Sequence, residues 1–262
     1  MGGPGMSTTA DRLARAYSDA IGTLCRVTPK GWYAERGTAR AGVTRTGVAS
    51  LNGVFDLTTD PDLGSLDELA TEVARQVPYW SIIVRGEPSA GITDLGARHG
   101  LTERSALPLM ACATDAIEFR TGSTQQTLVR RVGAAESDTY TDAFAESFEA
   151  PVGAFGSLMG GAVLDTDGVT GYLAEESGRP VGTALGMRAP GVIGVFNIGV
   201  VPSARGRGLG RALTEAVLRD GIAAGADIAY LHSSPMGRPL YESMGFTLVQ
   251  NWTMLTARPS DA

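Results

Sequence analysis

The chain has 262 residues, enough for one large domain or two packed modules, and 43% hydrophobic against 19% charged residues marks a folded globular protein. A net charge of -6 argues against a nucleic-acid partner, because affinity for a phosphate backbone comes from clustered Lys and Arg. Cys25 and Cys112 stand at no metal-ligand spacing, the first six residues lack a leader pattern, and no apolar run is long enough to span a bilayer. The expectation is a cytoplasmic monomer or homodimer that needs no metal, disulfide or membrane.

Leu13, Ala14, Tyr17, Ile21 and Leu24 recur at helical spacing and predict an amphipathic helix over residues 7–25. A second helix is predicted over 65–77, with Ser65 as N-cap, Glu68 closing a capping box and Pro78 ending it. The β-branched and aromatic runs on either side, 48–57 and 79–84, read as strands. A helix over 92–99 stops at Gly100, and residues 107–113 read as a further strand.

The polar stretch 121–126 reads as a linker, dividing the chain into 1–120, a linker at 121–128, and 129–262. Beyond it the order of elements recurs. Residues 193–201 read as a strand, 207–221 as a helix, 228–232 as a strand, 239–244 as a short helix and 246–256 as a strand. Asn52 and Asn197 are 145 positions apart, as are Gly100 and Gly245, each glycine followed by an apolar residue and a threonine. Shared order and shared register suggest an internal duplication.

The chemistry concentrates in residues 197–212. An apolar strand passes through Pro202-Ser203 into Ala204-Arg205-Gly206-Arg207-Gly208-Leu209-Gly210-Arg211, and then into a helix. Glycines free the backbone N–H groups to turn outward, and a helix start adds its unpaired donors and positive end, which together make an anion cradle. The P-loop ending is absent, and Arg211 stands where a dinucleotide fingerprint needs its third glycine.

What remains, Val200-x-Pro202 followed by Arg205-x-x-Gly208-x-Gly210, resembles the pyrophosphate motif of the GCN5-related N-acetyltransferases (GNATs). A second segment, Leu240-Tyr241-Glu242-Ser243-Met244-Gly245-Phe246, resembles the same family's Leu-Tyr-x-x-x-Gly-Phe signature. The resemblance covers residues 170–256 strongly and 40–113 faintly. It implies an α/β (α+β) fold: a mixed, largely antiparallel sheet flanked by helices, in two tandem copies, the first degenerate.

The resemblance also implies acetyl-CoA as acyl donor and an amine as acceptor. Ile198, Gly199 and Val200 would hold the pantetheine arm and the acetyl carbonyl, and residues Arg205, Gly206, Arg207, Gly208, Leu209, Gly210 and Arg211 the pyrophosphate. Ser234 stands where many members carry Asn, and its hydroxyl would bond a pantetheine amide. Tyr241 would be the general acid that protonates the leaving thiolate.

No base follows from the sequence. His232 at a strand end is one possibility, Glu146 and Glu149 are others, and solvent water is adequate. The first half offers only Thr58-Thr59-Asp60-Pro61-Asp62 in place of the loop, and carboxylates there would repel a pyrophosphate. A non-catalytic acyl-CoA-binding or regulatory protein remains the rival reading, with a nucleotide-binding protein third.

Overall fold

The computed structural model describes residues 8–120, 128–151 and 153–258. Of the expected linker, residues 121–127 lie outside the described residues. The first half runs α1 (Thr9–Val27), β1 (Trp32–Arg36), β2 (Ala39–Val43), β3 (Asn52–Asp56), α2 (Leu63–Ala74), β4 (Ser81–Arg85), α3 (Ala90–Arg98) and β5 (Glu103–Ala113). The second runs β6 (Leu128–Val132), α4 (Ser137–Ser147), β7 (Val169–Glu176), β8 (Arg179–Ala189), β9 (Val192–Val200), α5 (Leu209–Ala223), β10 (Ile228–His232), α6 (Arg238–Glu242) and β11 (Thr247–Thr256).

All of these strands join one sheet in the order β1-β2-β3-β4-β11-β5-β10-β9-β8-β7-β6. β3 with β4 and β9 with β10 run parallel, and the other neighbours run antiparallel. This is the mixed, largely antiparallel sheet that the resemblance implied. The order is nearly symmetric about its centre, where β11 and β5 pair across nine registered positions from Thr247↔Ala111 to Thr256↔Glu103. Each half therefore sends its last strand into the other: β11 pairs with β4 of the first half, and β5 with β10 of the second.

α1 starts at a complete capping box, the Thr8 side chain accepting from Asp11 N while the Asp11 carboxylate accepts from Thr8 N. It buries Leu13, Tyr17 and Leu24 on the sheet. Tyr17 meets Phe55 from β3, His232 from β10 and Trp252 from β11 edge-on, with centroids 6.1, 5.2 and 5.2 Å away. Arg12 reaches Asp227 at 2.7 Å and Gly191 O at 3.0 Å. α1 thus ties the two halves together over the exchanged strands.

α2 departs from the expectation. It starts at Leu63, with Asp62 rather than Ser65 as N-cap, and ends at Ala74. The carboxylate of Asp62 accepts from both Ser65 N and Ser65 Oγ, so the serine serves the cap one turn in and the Glu68 box does not form. The helix at the glycine-rich loop starts at Leu209, two residues later than expected, because Gly206 and Gly208 take the left-handed conformation at φ 76° and 82°.

Candidate acyl-donor site

β9 carries a bulge. Its pairing with β8 shifts between Thr183 and Leu185, Asn197 adopts φ 52°, and Thr183 Oγ1 donates to Asn197 O at 2.9 Å. β10 pairs with β9 only from Val192 to Gly194, although β9 continues to Val200. The two parallel strands part beyond the bulge, and the inner edge of Ile198, Gly199 and Val200 loses its strand neighbour. In the first half the corresponding strands do not part: β3 is paired with β4 from Gly53 to Asp56.

The loop that follows β9 ends at the N-terminus of α5. The backbone N–H groups of residues 206 to 211 find no acceptor among the described residues, the first helical bond being Ala212 N to Gly208 O at 3.1 Å. A row of unpaired donors at a helix N-terminus is what an oxyanion binds. A Cβ added at Gly210 would meet Leu240 Cδ2 at 3.4 Å and Val200 Cγ2 at 4.0 Å, so the ends of β9, α5 and α6 converge at that glycine. The two sequence signatures are therefore one place in space.

The arginines of the loop all bond groups of the protein itself. Arg205 donates to Val200 O and Ser147 O and pairs with Glu149 at 2.8 Å, stapling the loop to the C-terminus of α4. Arg207 pairs with Glu176 and donates to Ser203 O. Arg211 donates to Glu118 O, Ser243 O and Ser243 Oγ. Their side chains shape the loop, and the free donors are backbone.

In the first half, the turn between β3 and α2 is filled from within. Asp56, completely buried, accepts from Thr38 Oγ1 at 2.6 Å, Thr58 N at 3.0 Å, Thr58 Oγ1 at 2.6 Å and Asp62 N at 3.0 Å. A side-chain carboxylate already takes the donors of that turn. Elsewhere in the first half, Trp80 and His99 meet edge-on with centroids 5.4 Å apart, and His99 bonds Asp67 of α2 at 2.9 Å.

Tyr241, on α6, is buried at 7% exposure beside Phe246, and burial pushes its hydroxyl up to about 12. It stays a proton donor through the neutral range. Ser234 caps the turn into α6, its Oγ accepting from Gly237 N at 3.1 Å. Glu146 pairs with Arg179 and Glu149 with Arg205, so both carboxylates are held in ion pairs.

His232 lies at the parted end of β10, its ring tilted on Trp252 at 4.7 Å and its Nε2 buried without a hydrogen-bond partner among the described residues. Desolvation lowers its pKa to about 4, so the ring is neutral at physiological pH. Tyr230 Oη, on the same face of β10, is likewise buried and finds no partner among the described residues.

Two features of the site had no motif to announce them. A Cβ at Gly199 would fall 2.0 Å from Ser147 Oγ, so β9 and α4 touch backbone to side chain there. Arg120, from the end of the first half, lies with Nη1 3.6 Å from where a Cβ would stand at Gly208. Both depend on tertiary contacts and leave no local pattern.

Residues 167–248 match the family model described as an acetyltransferase (GNAT) domain. The chain carries an acetyltransferase domain of the GNAT family. A mycothiol acetyltransferase of Thermomonospora curvata is 42% identical over 80 residues, 29% of this chain and 27% of that protein. The match thus spans less than a third of this curated relative.

Among solved structures, a GCN5-related N-acetyltransferase from Kribbella flavida aligns over 97% of this chain and 98% of its own, with TM-score 0.67 and 18% identity. Another from Sphaerobacter thermophilus covers 85% of this chain and 78% of its own, with TM-score 0.57 and 20% identity. At those identities the likeness is one of fold. It extends through both halves, whereas the GNAT-domain match lies in the second.

Proposed function

We propose that this chain is an N-acetyltransferase that moves the acetyl group of acetyl-CoA directly to a primary amine of a small molecule or peptide. The observation that carries this reading is the row of unpaired N–H groups at residues 206 to 211, set at the end of a strand that parts from its parallel neighbour. The cradle suits a pyrophosphate. The parted edge at Ile198, Gly199 and Val200 suits an arm bearing amides, which would bond there as an added strand bonds a sheet edge.

In this reading the amine attacks the thioester carbonyl, the C–S bond breaks, and the thiolate leaves with a proton from Tyr241. Backbone N–H near Val200 meets the oxyanion of the tetrahedral intermediate. Holding both reactants in one cleft supplies much of the acceleration. His232 is neutral above about pH 4, and so weak a base takes a proton with little driving force. The ammonium proton is therefore assigned to solvent water, with Ser234 and His232 lining the cleft.

The second half acts as the donor site and the first half as a non-binding copy, with the filled turn at Asp56 as its support. The acceptors to assay begin with that of the mycothiol acetyltransferases, the name borne by the relative above. Amino sugars, polyamines and peptide amines follow. CoA release is measured with wild type and Tyr241→Phe on the best acceptor. A fall in kcat of about ten- to a hundredfold is expected for loss of a general acid. Equal rates would remove Tyr241 from the mechanism. Tight acetyl-CoA binding with no turnover on any acceptor would favour a non-catalytic acyl-CoA-binding protein.

A further inference from the structure

The stretch leaving β5 is fastened along the donor site at every residue from 117 to 120. Ile117 is buried in the same core as Tyr241 and Leu209. Glu118 N donates to Met244 O at 3.1 Å, and Glu118 O accepts from Arg211 Nη1 at 2.8 Å. The Phe119 ring lies under the Arg219 guanidinium at 4.4 Å. Arg120 N donates to Glu215 Oε1 at 3.0 Å.

These anchors belong to α5, to α6 or to the residues just after α6. Their common effect is to place Arg120 over the glycine loop, with Nη1 3.6 Å from the Cβ position of Gly208. The three arginines of the motif itself are spent on holding backbone carbonyls and on Glu149, Glu176 and Glu215. Glu215, which accepts from Arg120 N, already faces Arg211 and Arg219.

We infer that Arg120, contributed by the first half of the chain, is the side chain that clamps the pyrophosphate of acetyl-CoA against the loop at Gly206–Gly208. This rests on the acetyl-CoA reading above. Backbone N–H groups supply direction to the anion, and a guanidinium at their rim supplies the charge and a two-pronged donor set. The first half thereby serves the donor site as well as completing the sheet.

The test is calorimetric titration of the full-length protein with acetyl-CoA and with dephospho-CoA, in wild type, Arg120→Ala and Arg120→Lys. Arg120 is exposed, so unchanged thermal unfolding of the variants is expected and checked. Arg120→Ala should weaken both ligands by about tenfold, with Arg120→Lys recovering part of the loss, as for one charge-assisted phosphate contact.

Wild-type affinity in Arg120→Ala would overturn the assignment. So would a loss seen with acetyl-CoA but not with dephospho-CoA, which would move the contact from the pyrophosphate to the 3′-phosphate. A wild-type protein that binds neither ligand would instead sink the acetyl-CoA reading, and the clamp with it.

Discussion

Replacing Gly199 by alanine is expected to destabilise the fold strongly, because no space exists for a methyl group. The added Cβ would lie 2.0 Å from Ser147 Oγ, 2.8 Å from Ser147 Cβ and 2.9 Å from Phe148 Cε2. Rotating the serine relieves only the first contact, and it sacrifices the hydrogen bond from Ser147 Oγ to Phe144 O. The second requires α4 and β9 to separate by about 0.5 Å or more to reach ordinary carbon contact. That movement strains the bond from Arg205 Nη2 to Ser147 O, which holds the loop to α4.

Overpacking of about 1–3 kcal/mol plus a buried hydrogen bond worth about 1 kcal/mol gives an expected loss of roughly 2–4 kcal/mol. Guanidinium denaturation reads this as a lower midpoint at unchanged slope. Combining Gly199→Ala with Ser147→Gly removes the two closest contacts and should restore much of the midpoint, less about 0.5–1 kcal/mol for a glycine in a helix. A Gly199→Ala midpoint within 0.5 kcal/mol of wild type on the scale of ordinary surface changes would refute the close approach.

Burial of His232 makes stability depend on pH. Its pKa is lowered to about 4 in the fold against about 6.5 when exposed, so the unfolded chain binds the proton first. Stability is intact above pH 6.5 and falls as pH drops from 6.5 towards 4, by at most about 3 kcal/mol. In His232→Phe the thermal midpoint should lose less across that window; parallel curves would rule out the histidine as the cause. Separately, residues 129–262 expressed alone lack β5, leaving β10 and β11 unpaired along the edges that β5 covers. Exposed edges invite pairing between copies, so size-exclusion chromatography should show aggregate or oligomer, and a stable folded monomer would contradict the exchanged-strand account.

Much of the second half was legible in the sequence because its elements are sharply bounded. The strand at 228–232 matches β10 end to end, and the Pro202 turn and loop glycines marked where β9 stops. β8 has no alternating signal because it is buried on both faces from Val181 to Met187. α4 has little helical signal because its Ser, Thr and Asp content favours turns and caps over helix interiors. β1 and β2 are short and carry alanine, arginine and glutamate, which are weak strand signals.

The duplication was visible as register, and the symmetric strand order agrees with it. The exchange of β5 and β11 was not visible, since strands more than a hundred residues apart leave no local trace of their pairing. At the candidate site, motif marks the loop and Tyr241, while the protein contacts of the loop's arginines depend on tertiary structure and leave no motif. In the first half the sequence places carboxylates at Asp60 and Asp62 in the turn, while the one that fills it, Asp56, is the last residue of β3.

A single acyl-donor site, in the second half, is what calorimetric titration of the full-length chain with acetyl-CoA should reveal. One molecule bound per chain, lost in Gly208→Asp and kept in Asp56→Asn, is the expected result: an aspartate at Gly208 places a negative charge and a strained left-handed backbone in the cradle. No binding, two molecules per chain, or undiminished affinity in Gly208→Asp would contradict it.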